Sequence, residues 1–217
     1  MAQAAPRLSS RAERTRGAIL EAAEGLFAEK GFASARLEDV AEAVGIRRAS
    51  IVYYFRDKRE LYEAVLERVF GDFRERLAAA LAAPGGLPRR IESAVAAWVD
   101  YLTERPALAR IFLRELADGS PDDPPAVIGQ VRPFVELVNR FREETRDDPA
   151  ARAVPIDPAH LASAIVGSTV FFVTAMPMLS SRSAFDPGRA QQIDAHRREV
   201  LRITRRLLGA PDLEEGA

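Results

Sequence analysis

Residues 36–55 read RLEDVAEAVGIRRASIVYYF. Leu37, Val40, Ala41 and Val44 recur at i, i+3, i+4 and i+7, the spacing of one face of a helix. Gly45 stops that helix, and a second short one runs from Arg48 to Phe55. Two short helices joined by a tight turn describe a helix-turn-helix, a unit that lays its second helix in the DNA major groove. On that second helix Ile51 and Phe55 stand four residues apart and point inward. The opposite face carries Ala49 and Tyr53, flanked by Arg48, Ser50 and Val52. Between Arg47 and Arg59, the cations Arg47, Arg48, Arg56, Lys58 and Arg59 face the single acid Asp57, a local +4 in a chain of net charge -1. Such a concentration is the electrostatic footprint of phosphate contact. A solvated helical hairpin with surface arginines carries the same pattern, so spacing and charge leave both readings open.

Outward from this stretch the period stays helical. A first helix is predicted over about Arg11–Lys30, with Ile19, Ala22, Ala23, Leu26 and Phe27 as its apolar stripe, ended by Gly31. A long helix starts near Asp57 or Lys58 and continues to about Ala82, where Pro84-Gly85-Gly86-Leu87-Pro88 breaks the chain. Further helices are predicted over Pro88–Thr103, Pro106–Leu116, Pro125–Glu144, Pro158–Ala175 and Pro187–Leu208. Asp123-Pro124, Asp157-Pro158 and Asp186-Pro187 supply capping acids before prolines that tolerate a first turn. Pro133 predicts a kink or break in its helix. Asp118–Pro125 and Arg146–Pro155 read as loops by composition. Met1–Ser10 reads as a disordered arm and Asp212–Ala217 as a frayed tail. Almost nothing alternates with period two. The fold class is therefore all-α: an N-terminal three-helix helix-turn-helix domain, joined by a long helix to a larger C-terminal helical domain.

Composition narrows the function classes. The 31 basic and 32 acidic residues of this 217-residue chain nearly cancel, which excludes a polybasic protein but not a local basic patch. The cations are almost all Arg, a good bidentate partner for phosphate and guanine, although genomic base composition accounts for the bias as simply. The absence of Cys excludes disulfides, thiolate nucleophiles, zinc fingers and iron–sulfur sites. With His160 and His196 as the two histidines, a histidine-built metal site is not expected. HExxH, P-loop, GxSxG and dinucleotide fingerprints are all missing, so neither an enzyme nor a cofactor is expected. Residues 158–181 lack Asp, Glu, Lys and Arg and pass a crude length test for a membrane span. Their His160, Ser163, Ser168, Thr169, Thr174, Pro177, Ser180 and Ser181 are too polar for a lipid-facing helix, so the reading is a helix buried in a bundle or dimer core. No apolar signal-peptide region precedes the first helix, and a cytoplasmic location is expected.

The stretch RAERTRGAILEAAEGLFAEKGFASARLEDVAEAVGIRRASIVYYFRDKRELYEAVL resembles the DNA-binding domain of TetR/AcrR-family transcriptional regulators over about residues 11–70. The landmarks are Ile19-Leu20, Ala23, Leu26-Phe27, Gly31-Phe32, Asp39-Val40-Ala41, Gly45, Phe55, Lys58 and Leu61. The resemblance implies an Ω-shaped homodimer of all-helical subunits. It also implies a domain over residues 71–217 that binds a small effector and dimerises through its last two long helices. By position, groove contacts fall on Arg48, Ala49, Ser50 and Tyr53, and backbone contacts on Tyr54 and Lys58. Lys58 also sits at the start of the fourth helix, where free N–H groups suit a phosphate. Arg47 joins this basic set. The sequence departs from the family at Arg36, where Ser or Thr usually caps the second helix, and at Val52, where Tyr usually touches the backbone. Either Ser34 takes over the cap or the Arg36 guanidinium makes the phosphate contact. Tyr53 or Tyr54 replaces the hydrogen bond that Val52 cannot make.

For the second domain, an apolar, aromatic-lined cavity is the expected effector site. Its candidate lining is Trp98, Tyr101, Phe112, Phe134, Phe141, Phe171, Phe172 and Met176, with Met178 beside them, although aromatic residues at helical spacing are also ordinary core. Candidate polar anchors are Arg114, Glu115, Asn139, His160 and Thr174. Dimerisation is expected through the last two helices. Ala162, Ala164, Gly167 and Ser168 allow close approach, and Ile193, Val200, Ile203, Leu207 and Leu208 supply apolar contact. The expected partners are thus a roughly palindromic double-stranded operator, a second copy of the chain and an unidentified small-molecule effector, with no membrane. The leading function is a one-component transcriptional regulator, in the repressor mode. The alternative is a helical adaptor that binds a protein instead of sequence-specific DNA.

Overall fold

The computed structural model describes residues 10–118, 126–153, 158–179, 186 and 188–207. Among them are eleven helices and no strand: α1 Ser10–Ser34, α2 Leu37–Val44, α3 Arg48–Tyr54, α4 Lys58–Leu81, α5 Leu87–Glu104, α6 Pro106–Asp118, α7 Ala126–Glu144, α8 Pro149–Ala153, α9 Pro158–Thr174, α10 Met176–Leu179 and α11 Ala190–Leu207. The all-α reading holds.

Local chemistry sets the N-terminal helix ends. Gly31 adopts φ 75° and ψ 166° inside α1, a conformation that a side chain disfavours, and the regular helix ends there. Gly45 is left-handed at φ 73°. Its N–H donates to the Glu42 carbonyl at 3.1 Å, and the Ile46 N–H donates to Ala41 at 3.0 Å, closing α2 in a Schellman motif. Arg36 occupies the α2 N-cap position without a side-chain cap bond. The Asp39 carboxylate takes the Arg36 backbone N–H instead, and Lys30 Nζ stands 2.7 Å from it. Asp57 caps α4 by accepting from the Glu60 N–H at 2.9 Å, while Glu60 reaches back to the Arg56 N–H at 2.8 Å.

Packing then joins the helices. Ile19, Phe27, Ile51, Phe55 and Leu61 are essentially removed from solvent and hold α1, α3 and the start of α4 together. Each such side chain contributes about 1.5–3 kcal/mol through burial. The apolar core continues without a gap along α4, through Val69, Phe70 and Phe73, into Tyr101, Leu102, Leu108 and Val173. Phe73 lies 5.2 Å from both Trp98 and Tyr101 and 5.1 Å from Phe134, ring centre to ring centre. Helix α11 is tied to α5 by a two-pronged Arg205–Glu92 pair at 3.0 and 2.9 Å and by Arg197–Asp100 at 3.0 Å.

Several expectations need correction. The segment 146–155 is not all loop, because Asp148 accepts the Ala150 N–H at 2.8 Å and starts α8 at Pro149. This is the same Asp-Pro signal recognised elsewhere. Pro133 does not break α7, which runs from Ala126 to Glu144 around it. Phe134, next to Pro133, packs on Phe70 and Phe73, tertiary contacts that offset part of a local helix penalty of about 3 kcal/mol. For the Asp186-Pro187 signal, Pro187 lies outside the described residues, while Asp186 is described. It accepts from the Gly188 N–H at 2.9 Å in a turn, and α11 begins at Ala190. The reading of α9 as a helix of a bundle or dimer core is not overturned: in the single chain one face is buried, through Ile165, Thr169, Val170, Phe172 and Val173, and the other is exposed. The arm before Ser10, the tail 212–217, the Asp123-Pro124 signal, Leu208, and Ser180 and Ser181 lie outside the described residues.

Candidate nucleic-acid interface and cavity

The α3 face is set by its buried side. Ile51 and Phe55 anchor the helix in the core at 0% and 1% exposure. Ala49, Val52 and Tyr53 then face outward, Tyr53 being 76% exposed. Tyr54 is half-buried and meets the Tyr53 ring edge-on at 5.2 Å. Ser50 is half-buried, with its N–H on the Arg47 carbonyl at 2.8 Å. Arg36, Arg47 and Arg48 are exposed on the same end of the molecule, around α2 and α3. Arg48 Nε lies 2.8 Å from Glu38 Oε1, with both side chains about 60% exposed. A pair so exposed contributes roughly 0–1 kcal/mol and opens readily for a phosphate or base.

Lys58 is placed differently from the other cations. Its Nζ donates to the carbonyl oxygens of Phe32 at 2.7 Å, Ala33 at 3.0 Å and Ala35 at 3.1 Å. It also lies 4.6 Å from the centre of the Phe32 ring. All three ammonium hydrogens are committed to the end of α1 and the turn into α2. Sequence reasoning missed one cation of this region. Arg16 of α1 lies 5.1 Å from the Phe55 ring centre, at the C-terminal end of α3. Thirty-nine residues separate the two in sequence, and no local pattern links them.

In the second half, α4, α5, α6, α7 and α9 enclose a cavity of about 1050 Å³. Trp98, Phe112, Phe134 and Phe141 line it, together with Leu and Val side chains. The other candidates are placed elsewhere. Tyr101 is fully buried against Phe73, and its hydroxyl donates to the Val69 carbonyl at 2.6 Å. Burial pushes its pKa up to about 12. Phe172 stacks on His196 at 3.9 Å between α9 and α11, and burial holds that imidazole down at about 4. Phe171 is half exposed on the outer face of α9, Met176 lies in α10, and Met178 is 82% exposed. Of the polar candidates, Asn139 lines the cavity. Arg114 Nη2 donates to the Glu29 carbonyl at 2.9 Å, and Thr174 donates to Val170 at 2.6 Å. Glu115 accepts from Tyr62, whose pKa rises through burial first and this bond second. His160 is exposed.

Helix α6 connects the two regions. Its Leu108, Ala109 and Phe112 line the cavity, while Arg114 one turn on reaches the end of α1. At its start, Arg105 stands 3.5 Å from Glu24 of α1 and 3.4 Å from Asp72 of α4.

Residues 19–65 match the family described as bacterial regulatory proteins, tetR family. The chain is 27% identical over 171 residues to the HTH-type transcriptional regulator RutR of Escherichia coli (strain K12), covering 76% of each. Its DNA-binding domain is of the tetR family, and the protein is a DNA-binding transcriptional regulator. A second relative of this regulator is the HTH-type transcriptional repressor NicS of Pseudomonas putida, 31% identical over 110 residues, or 49% of this chain and 50% of that one. Among solved structures, the ketosteroid transcriptional regulator KstR2 of Mycobacterium tuberculosis superposes with a TM-score of 0.68 at 18% identity, covering 95% of this chain and 97% of that one. That likeness concerns the fold. The adaptor alternative is not favoured by this set of regulators. Among the described residues, no helix is long and apolar enough to cross a membrane.

Proposed function

We propose that the protein is a cytoplasmic homodimeric repressor that a small-molecule effector releases from a palindromic operator. The observation that carries the reading is the position of α6. One side of it forms the cavity wall, and Arg114 and Arg105 tie it to α1 and α4. An effector that favours one position of α6 thereby favours one position of the helices that carry α3. Two α3 helices then fit, or fail to fit, half-sites about 34–36 Å apart or a multiple of that. Arg48, Ala49, Ser50 and Tyr53 contact the groove, while Arg36, Arg47 and Tyr54 contact the backbone. Lys58 serves as the clamp between α4 and the α1 end. Dimerisation uses the outer face of α9, where Ala162, Ala164, Gly167 and Phe171 are exposed, with Ile203 of α11. These roles assign no catalytic step to any residue.

The test is fluorescence anisotropy on DNA flanking the protein's own gene, at several salt concentrations, against scrambled competitor. Tight binding that survives competitor at two subunits per half-site pair supports the reading. Binding no better than to scrambled DNA at every candidate site supports an adaptor instead.

A further inference from the structure

The cavity is chemically lopsided. The lining residues on α4, α5, α6 and α9 are hydrocarbon apart from the indole of Trp98, whose buried Nε1–H has no hydrogen-bond partner among the described residues. The other polar lining residues all fall within residues 139–146, at the C-terminal end of α7 and just beyond it. Within that end, Thr145 donates its hydroxyl to the Phe141 carbonyl at 2.8 Å, and Arg146 pairs with Glu143. Asn139 and Arg142 are exposed and mark a mouth. Among the described residues, Arg142 is the lining cation without an ion-pair or hydrogen-bond partner. At about 1050 Å³ the cavity sits at the top of the roughly 300–1000 Å³ range of small-molecule sites.

The geometry points to an effector that is a long-chain amphiphile with an anionic head. Its hydrocarbon chain fills the space between α4, α5, α6 and α9, and its head stays at the α7 mouth against Arg142. The inference rests on the effector reading above. The physical reason is desolvation. A polar group carried into the interior would lose its water and find a wall of Leu, Val, Ile and Phe with a single donor, the Trp98 indole N–H, so most of the ligand that enters is hydrocarbon. A head left at the mouth keeps its hydration and meets an unpaired guanidinium, which suits a carboxylate or phosphate. The shared chemistry is an acyl chain on an anion, which a free fatty acid and an acyl thioester of a phosphate-bearing carrier both supply.

Trp98, the single tryptophan, lines the cavity and reports directly on occupancy. The probes are octanoate, dodecanoate, hexadecanoate, hexadecanoyl-coenzyme A, hexadecan-1-ol, 9,10-dibromooctadecanoate and androst-4-ene-3,17-dione, with the intact dimer. Dibromooctadecanoate is expected to quench Trp98. Affinity is expected to rise roughly fourfold per methylene until the cavity is filled. Arg142→Gln, on an exposed position, is expected to weaken hexadecanoate about fivefold while leaving hexadecan-1-ol unchanged. Binding of hexadecanoate assigns the free acid, and binding of the thioester alone assigns the carrier-linked form; either supports the class. Affinity independent of chain length, equal binding of the alcohol and the acid, or binding of the steroid alone overturns it. Operator release is measured in parallel. Lipid binding without release overturns the effector reading and keeps the ligand class, whereas release by the steroid without lipid quenching does the reverse.

Discussion

The ammonium of Lys58 donates to the carbonyl oxygen of Phe32 at 2.7 Å while lying 4.6 Å from the centre of the same residue's ring. With Ala33 and Ala35 completing the set, one cation closes the end of α1 and fixes the first turn of α4 to it. Orphan carbonyls at a helix end need partners, and a charged donor is the strongest available.

Lys58→Met is therefore expected to lower stability by about 1–3 kcal/mol, the cost of leaving such carbonyls without their charged donor. Thermal or urea denaturation measures it. The salt dependence of operator affinity should keep its slope, because no phosphate contact is lost. A slope reduced by about one would return Lys58 to the DNA.

Tyr53 is 76% exposed and, among the described residues, packs on the Tyr54 ring alone of the aromatic rings. Tyr53→Ala should change stability by no more than about 0.5 kcal/mol, as at other surface positions. It should abolish preference for operator over scrambled DNA and leave weak, salt-sensitive binding to both. Competition anisotropy separates the two effects. Full discrimination in the variant would move sequence reading away from this side chain.

Phe171 is 50% exposed beside the small residues of α9, and Ile203 of α11 is 49% exposed. Phe171→Asp places a charge on the proposed dimer face without entering the core. Sedimentation equilibrium should then report monomers where the parent gives dimers, with the helical circular dichroism retained. An unchanged dimer would place the interface elsewhere.

His196 sits half-buried, stacked on Phe172, with Nε2 3.3 Å from the Thr169 hydroxyl. Burial lowers its pKa from 6.5 to about 4 in the folded chain. The unfolded chain thus binds a proton between those values and the folded one does not. Stability is complete above about pH 6.5 and falls as pH drops toward 4, by roughly 1.4 kcal/mol per unit of difference at most. Melting temperatures from pH 7 to pH 4 should fall less steeply in His196→Gln than in the parent. Parallel slopes would remove His196 as the cause.

How much was legible beforehand follows from the range of each interaction. The α2 and α3 boundaries were readable because their causes are local: the i, i+3, i+4 stripe of Leu37, Val40 and Ala41, and a left-handed Gly45. The burial of Ile51 and the exposure of Tyr53 followed from the same period. Three of the seven aromatic candidates for the cavity, Tyr101, Phe171 and Phe172, were placed elsewhere for the opposite reason. Trp98 and Tyr101 stand three residues apart on α5, yet one meets the cavity and the other closes a hydrogen bond to α4.

The sequence alone thus determined the helical class, the turn chemistry and the exposed face of α3, each written in neighbours a few residues apart. Tertiary structure decided which cation became a clamp, which aromatic rings face the cavity, and that α6 touches both the cavity and α1. Arg114 meets Glu29 across 85 positions and Arg105 meets Glu24 across 81. Contacts at that separation depend on how whole helices pack, and helix periodicity carries no record of the partner.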